Sequence, residues 1–176
     1  MTTIVYIATS IDGYIAQKDG GIDWLINLPN PGGSDYGYAE FFGRLDAVLM
    51  GRKTFEAVAA FPLWPYSKPV YVLSTSLKEV PKELSGKAQL VRGGVREILD
   101  ELSAKGIGTL YVDGGKTIQS FLKEDLIDEM IISRIPIVLG DGIPLFAAMP
   151  RELAFEHVKT DVYNNIVVKS SYVRKR

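Results

Sequence analysis

The sequence predicts an α/β fold in which helices cover both faces of a mostly parallel sheet. Three segments, Ala47–Met50, Val70–Leu73 and Leu110–Val112, are almost continuously apolar, which is typical of strands buried on both faces. Helical patterns alternate with these strands as far as about Ile127. Beyond that point strands follow one another directly, which favours an antiparallel addition at one edge of the sheet.

The strands are predicted where apolar residues alternate or run on between turn residues. In chain order they are Thr3–Ala8, Ala47–Met50, Pro69–Ser74, Gln89–Val91, Thr109–Val112, Glu129–Val138, Phe155–Thr160 and Ile166–Val173. The dipeptide Asn164-Asn165 separates the last two strands. It is a candidate hairpin turn, because asparagine tolerates the positive φ angles that such turns need.

Helices are predicted where apolar residues recur three or four positions apart. The residues that mark them are Phe41 and Leu45 in the first, Phe55, Val58 and Ala59 in the second, Ile98, Leu99 and Leu102 in the third, and Ile118, Phe121 and Leu122 in the fourth. The longest irregular segment is Leu28–Asp35, and long loops within a compact domain are often functional.

Length and charge limit the classes to which the protein can belong. The 176 residues match a single domain spanning residues 1–176, since domains usually have about 100–200 residues. The 20 Lys and Arg residues against 21 Asp and Glu residues give a net charge of −1. No nucleic-acid partner is expected, because surfaces that bind nucleic acids carry an excess of positive charge.

The chain has no cysteine, and His157 is its one histidine. Disulfides, cysteine nucleophiles and multi-histidine zinc sites are therefore excluded, and no metal site is predicted. We interpret His157, which falls in a late strand, as a surface or structural residue. There is no charged and apolar leader at the amino terminus and no apolar stretch of about 18 residues, so we expect a soluble cytoplasmic protein without membrane contact.

Glycine stands between an apolar strand and a helix at two places. The first junction is Gly51-Arg52-Lys53-Thr54, and the second is Gly114-Gly115-Lys116-Thr117. Each suits a phosphate, because the first N–H groups of a helix are unpaired and its dipole favours an anion. Neither has the spacing of a P-loop or of a Rossmann fingerprint. Taken singly, each is equally well a glycine turn with threonine as helix cap, whereas two together suit a dinucleotide.

Two other strand ends carry polar groups that suit a phosphate. Ser74 and Thr75 follow one strand and supply hydroxyls where the 2′-phosphate of an NADP-type dinucleotide could lie. Arg92 follows the next strand in the same way. A polar loop with helix-capping residues and a solvated turn are the alternatives for these two segments.

The order of segments resembles the dihydrofolate reductase-like superfamily, and the resemblance spans essentially the whole chain. It is carried by Ser10–Ala16, Trp24, Met50–Phe55, Val72–Thr75 and Val112–Gly115. Within the superfamily the chain is most similar to the reductase (C-terminal) domain of the bacterial riboflavin-biosynthesis deaminase-reductase and its stand-alone relatives. Ser10–Ala16, Asp113 before the glycine pair and the segment Ile135–Phe146 point to that branch.

The resemblance implies a three-layer sandwich with a mostly parallel central sheet and a C-terminal antiparallel strand pair. It departs from dihydrofolate reductases proper at Asp113, where those enzymes usually carry a third glycine. The zinc deaminase half of the riboflavin enzyme cannot be present, because its ligands include cysteines. The segment Ile135–Phe146 is expected to wall the substrate cleft, to form a subunit contact or simply to cover the core.

The resemblance also implies an NADPH-dependent reductase that transfers hydride to a pterin-like or aminopyrimidine heterocycle, as 5-amino-6-(5-phosphoribosylamino)uracil reductases do. The cofactor-binding residues that it implies are Ala8, Ile15, Gly51, Arg52, Lys53, Thr54, Ser74, Thr75, Arg92, Gly114, Gly115, Lys116, Thr117 and Ile118. Asp12 and Trp24 would border the substrate. Alternatively, Asp12 caps the tight turn at Gly13, and Trp24 packs its loop against the core.

An acidic residue opens the first helix in the dihydrofolate reductase pattern. Counting back from Met50-Gly51-Arg52 without gaps reaches Asp35, which is our candidate for the catalytic carboxylate, and Glu40 is the rival one turn further on. The alternatives are that Asp35 caps the helix and that Glu40 lies on a solvated helix face.

Two expectations concern function class and assembly. A ligand-binding or sensing protein that keeps the nucleotide pocket without catalysis is the alternative to a reductase. A homodimer is expected, because the β-branched residues of the last strand pair form an edge that a monomer must protect. The riboflavin-pathway reductases that the chain resembles also commonly form dimers.

Overall fold

The computed structural model describes residues 1–176. Its strands are β1 (Thr2–Thr9), β2 (Tyr14–Ala16), β3 (Ala47–Gly51), β4 (Val70–Leu73), β5 (Ala88–Val91), β6 (Thr109–Asp113), β7 (Glu129–Arg134), β8 (Ile143–Pro144), β9 (Phe155–Tyr163) and β10 (Val167–Arg174). Its helices are α1 (Asp23–Ile26), α2 (Tyr38–Gly43), α3 (Arg52–Ala59), α4 (Val95–Ala104) and α5 (Gly115–Lys123), with a short 3-10 helix at Lys82–Leu84. No helix is long and apolar enough to cross a lipid bilayer.

Eight strands form one sheet in the order β5-β4-β3-β6-β1-β7-β10-β9. The pairs from β5 to β7 are parallel, and β10 joins β7 and β9 in antiparallel fashion. The predicted α/β fold with an antiparallel addition at one edge is confirmed. Parallel neighbours place the carboxyl ends of β1, β3, β4, β5, β6 and β7 along one edge of the sheet.

Helices cover the two faces of the sheet and bury a separate apolar cluster on each. On one face, Val5 and Leu49 pack against α4 and α5 through Ile98 and Phe121. On the other face, which we call the α2–α3 face, the cluster includes Ile4, Phe41, Val48, Phe55 and Tyr111. Side chains two positions apart in a strand share a face, so Asp113 follows Tyr111 onto the α2–α3 face.

The hairpin predicted at Asn164-Asn165 is present between β9 and β10. Both asparagines have positive φ angles, 52° and 54°, and Ile166 donates its N–H to the carbonyl of Tyr163. These angles are those of a type I′ turn, whose twist matches that of an antiparallel strand pair.

Several predicted boundaries were wrong. The strand predicted over Glu129–Val138 ends at Arg134, because Pro136 has no N–H for a sheet bond and the chain turns away there. Strand β9 runs three residues beyond the predicted Thr160, to Tyr163. Helix α2 ends before Leu45, which nevertheless packs in the core of the α2–α3 face. The two-stranded sheet of β2 and β8 was not predicted, because its strands are only two or three residues long.

Candidate functional site

The sheet opens between its two central strands at the carboxyl edge. Strands β1 and β6 pair only from Thr2↔Thr109 to Ile4↔Tyr111. Beyond that point β1 continues along β7 as far as Thr9, whereas β6 continues along β3 as far as Asp113. The resulting gap lies at the carboxyl ends of parallel strands, where ligands of α/β proteins usually bind.

The two predicted glycine junctions meet beside this gap, because β3 and β6 are neighbours. A Cβ atom at Gly51 would lie 2.9 Å from the Oγ1 atom of Thr117. A Cβ atom at Gly114 would collide with the Oγ1 atom of Thr54, and Gly114 also has a φ of 90°, which side chains other than glycine rarely adopt. Each junction glycine therefore abuts the first-turn threonine of the other junction.

Both helices start without a side-chain cap. Gly51 precedes α3 and Gly114 precedes α5, and neither helix has a side-chain hydrogen bond at its cap. The first-turn N–H groups of two adjacent helices are consequently free to bind an anion. The exposed side chains of Arg52, Lys53 and Lys116 add positive charge, although Arg52 also pairs with Glu56 at 3.2 Å.

Ser74, Thr75 and Arg92 come together at the ends of β4 and β5. The buried Ser74 hydroxyl oxygen accepts the N–H groups of Ser76 and Leu77 at 3.2 and 3.0 Å. The Arg92 guanidinium donates to the carbonyls of Thr75 and Leu77 at 3.0 and 2.8 Å. Ser74 and Arg92 thus shape this loop, and the exposed Thr75 side chain stands at its tip.

Two loops cover the second glycine junction. A Cβ atom at Gly115 would lie 2.9 Å from Ile15 Cδ1 and 3.4 Å from Ile143 Cγ2. Strands β2 and β8 join the two loops, and the Asp12 carboxylate accepts the N–H groups of Leu139 and Gly140 at 3.1 and 2.8 Å. Ile143 therefore packs against the second glycine junction, and Asp12 links the two loops.

The remaining residues of the predicted cofactor set differ in exposure. Ala8 is half-buried in β1, next to the gap between the central strands. Ile118 is fully buried in the core on the α4–α5 side, and its N–H donates to the carbonyl of Gly114. Ile118 thus supports the junction from beneath and offers no free group to a ligand.

The Trp24 indole has a polar atom without a partner. Its Nε1 atom is buried and makes no hydrogen bond, although the residue as a whole is only half-buried. Buried tryptophan N–H groups usually have a partner, so this donor is available to a bound molecule.

The predicted catalytic carboxylates lie at the start of α2. Asp35 is exposed, and its carboxylate accepts the N–H groups of Gly37 and Ala39 at 2.9 and 3.0 Å. These bonds, with that from Ala39 foremost, and the positive charge of Lys169 hold the pKa of Asp35 below its ordinary value. Glu40 is also exposed, and the structure gives it no hydrogen bond within the protein.

A second carboxyl group, Asp113, lies at the gap itself. Burial raises the pKa of Asp113 to about 6, although the hydrogen bond from the Gly114 N–H partly opposes that rise. The Gly114 N–H donates to the Asp113 carboxylate at 2.7 Å. A carboxyl group that titrates near neutrality within a cleft is a candidate for proton transfer.

Sequence reasoning noticed Asp113 as part of a motif but did not assign it a role. The available signal was an acidic residue at the end of an otherwise apolar strand, directly before a glycine pair. Three tyrosines surround it in the folded chain. Burial raises the pKa of Tyr38 to about 12 and also raises the pKa values of Tyr66 and Tyr111, and the Asp113 charge adds to each rise.

A surface cavity of about 510 Å³ lies away from this edge. It is lined by residues of α3 and of the segments after it, among them Val58, Leu63, Trp64 and Leu84. None of the predicted site residues lines it, and it brings no pair of buried titratable groups together, so we place the candidate site at the carboxyl edge.

Comparison with known proteins supports the fold described above. The model of the RibD C-terminal domain family matches residues 2–169. The uncharacterised protein YwjB of Bacillus subtilis strain 168 is 37% identical over 175 residues, which cover 98% of this chain and 97% of YwjB. A crystal structure from Shewanella sp. PV-4, provisionally assigned to riboflavin biosynthesis, is 50% identical with a TM-score of 0.96, and each chain covers 100% of the other.

Two more distant structures share the fold alone. The diaminohydroxyphosphoribosylaminopyrimidine deaminase/5-amino-6-(5-phosphoribosylamino)uracil reductase of Thermotoga maritima gives a TM-score of 0.77 at 16% identity. That match covers 99% of this chain and 56% of the Thermotoga chain. The dihydrofolate reductase of Enterococcus faecalis, in complex with NADP(H) and RAB-propyl, gives a TM-score of 0.72 at 19% identity, with 99% and 97% of the two chains covered.

Proposed function

Because the chain belongs to the RibD C-terminal domain family, the reductase domain of riboflavin-biosynthesis enzymes, we propose that it is an NADPH-dependent reductase of a pterin-like or aminopyrimidine heterocycle. One observation carries the proposal most directly. Two uncapped helix starts meet through Gly51, Thr54, Gly114 and Thr117 at the place where β1 and β6 part. The substrate named for the Thermotoga reductase, 5-amino-6-(5-phosphoribosylamino)uracil, is the first compound to test.

The free N–H groups at the starts of α3 and α5 fit the pyrophosphate of the cofactor. Arg52 and Thr75 lie near the ends of β3 and β4 and are suited to a 2′-phosphate, and no acidic residue that would prefer a ribose hydroxyl stands at the end of β4. NADPH supplies hydride from C4 of its nicotinamide when it is bound. Ala8 and Ile15 line the space between the strand ends and the loop, where they keep water from the reacting atoms.

Two carboxyl groups take different roles in this proposal. Asp35 is ionised at neutral pH, since its hydrogen bonds and Lys169 lower a pKa that is ordinarily 3.8, and it orients and polarises the substrate ring. Burial raises the pKa of Asp113 to about 6, so its carboxyl gains and loses a proton close to neutral pH. The Asp113 carboxyl therefore passes a proton from water to the reduced ring. The unpaired Trp24 N–H donates to a carbonyl or ring nitrogen of the substrate.

Stopped-flow measurement of NADPH oxidation tests this function. NADPH should bind with saturation, and 5-amino-6-(5-phosphoribosylamino)uracil or a dihydropterin should then produce turnover that is absent with either component alone. Tight NADPH binding without turnover on any heterocycle would favour a sensing protein. Failure to bind NADPH at all would contradict the proposal.

A further inference from the structure

Lys169 is a charged residue that lies in the interior of the protein. It comes from β10 and retains only 6% exposure. Its Nζ atom donates to the main-chain carbonyl of Tyr36 at 2.7 Å and lies 4.9 Å from the centre of the Tyr163 ring. No carboxylate lies within ion-pair distance of this ammonium, so its burial is compensated by one carbonyl and one ring.

The segment Ser34–Gly37 is shaped to receive this ammonium. Gly37 has a φ of 79°, which side chains other than glycine rarely adopt, and a Cβ atom there would lie 2.6 Å from Lys169 Nζ. Tyr36 has a φ of 55°, and its carbonyl also accepts the Tyr6 hydroxyl at 3.1 Å. Two side chains of the sheet, Lys169 and Tyr6, therefore hold the same carbonyl in place.

That carbonyl belongs to the residue directly after Asp35. The Asp35 carboxylate bonds to the N–H groups of Gly37 and Ala39, so its position depends on the path of this segment. Two side chains from other elements interact electrostatically with Asp35. Lys169 from β10 lowers its pKa, and Tyr6 from β1 has its own pKa raised in part by the Asp35 charge.

We propose that Lys169 is a positioning residue of the substrate half of the site, which fixes the position of Asp35 through the Tyr36 carbonyl. This inference rests on the proposed role of Asp35. It makes the C-terminal strand pair a functional part of the site. A purely structural tether would change the free energy of unfolding and would leave kcat of the folded protein unchanged.

The test compares Lys169→Met, Lys169→Arg and the control Lys159→Met, which removes an exposed lysine of the neighbouring strand β9. Carbon-13 NMR of labelled aspartate follows the Asp35 carboxyl directly, and a pH–rate profile follows turnover. In Lys169→Met the pKa of Asp35 should rise, the acid limb of kcat should move to higher pH, and kcat at pH 7 should fall about tenfold or more. KM for NADPH should stay within about twofold.

Lys169→Arg retains the charge, so the Asp35 titration should stay as in the parent protein, and Lys159→Met should change neither readout. If Lys169→Met does not fold, the Lys169→Arg titration decides, because an Asp35 pKa as high as that of an isolated aspartate would then overturn the inference. An unchanged Asp35 titration and kcat in folded Lys169→Met would also overturn it. Full turnover in Asp35→Asn would instead remove the proposed role of Asp35 itself.

Discussion

The hydroxyl of Tyr111 in β6 donates to the main-chain carbonyl of Tyr6 in β1 at 2.9 Å, across the gap where the two central strands part. This bond closes the sheet below the gap on the α2–α3 face. The Asp113 carboxyl lies just above it, with the Tyr111 hydroxyl on one side and the Gly114 N–H on the other. The parting of two strands thus creates a buried place for a titrating acid.

The first prediction concerns the cost of burying Asp113. Its pKa is raised from 3.8 to about 6, so the folded state binds this proton more tightly than the unfolded chain. The stabilising effect is complete below pH 3.8 and is lost as pH rises through about 6. Asp113→Asn removes the charge, so above pH 7 its free energy of unfolding should exceed that of the parent protein by at most about 3 kcal/mol. The measured gain should be smaller than this bound, because Asp113 keeps some exposure to water.

Urea unfolding between pH 4 and 8 measures this gain, and turnover at pH 7 in the same variant should fall roughly tenfold or more. Asp161→Asn, at a more exposed carboxylate in β9, is the control and should show neither change. Equal pH dependence of unfolding in Asp113→Asn and the parent protein would contradict the raised pKa.

The second prediction concerns Asp35. Asn accepts the same backbone N–H groups and also caps helices well, so Asp35→Asn should keep unfolding free energy within roughly 1 kcal/mol. NADPH affinity should stay within about twofold, whereas turnover should fall on the order of 10²-fold, because the charge that polarises the ring is lost. Glu40→Gln is the matched comparison. A large loss of turnover in Glu40→Gln, together with unchanged turnover in Asp35→Asn, would transfer the catalytic role to Glu40.

The third prediction concerns cofactor choice. Arg52→Ala removes a charge-assisted contact typically worth about 1.5–3 kcal/mol, so NADPH affinity should fall roughly 10–150-fold while NADH affinity stays nearly constant. The parent protein should prefer NADPH. Fluorescence titration with both nucleotides measures the difference, and Arg96→Ala, at an exposed arginine that pairs with Glu124, is the control. Equal affinities of the parent protein for the two nucleotides would refute this assignment.

The fourth prediction concerns assembly. Strand β9 is an edge of nine residues with Val158 and Val162 exposed, and such an edge tends to pair with another chain. Light scattering at micromolar concentration should therefore give twice the 19.4 kDa monomer mass. Val162→Lys should shift the protein toward monomer, whereas Val138→Lys, at an exposed valine outside the sheet, should not. A parent protein of monomer mass would reject the dimer.

The sequence predicted the parts of the site that are local in the chain. Each glycine junction can be predicted from the sequence, because a strand, a glycine and the start of a helix follow one another within about eight residues. The fold class followed from the apolar strands by the same local reasoning. The short strands β2 and β8 escaped prediction because so few residues carry no periodic signal.

The parts that escaped prediction depend on contacts between distant segments. Burial raises the pKa of Asp113 to about 6, and its charge acts on Tyr38, Tyr66 and Tyr111, which come from three separate segments. Lys169 meets Tyr36 across 133 positions of the chain, and nothing in its neighbourhood in β10 signals that contact. Burial of single polar groups by remote residues is not encoded in the periodicity of either segment.

The mutual contact of the two glycine junctions restricts how this protein can diverge. Gly51 has an ordinary φ of −79°, so the Thr117 hydroxyl is the one obstacle that the structure shows to alanine there. A smaller residue at 117 would lift that obstacle, which makes the two positions epistatic. A smaller residue at position 54 would not make a side chain acceptable at position 114, because the φ of 90° at Gly114 disfavours any side chain. Homologues should therefore tolerate paired exchange at 51 and 117 while position 114 stays fixed.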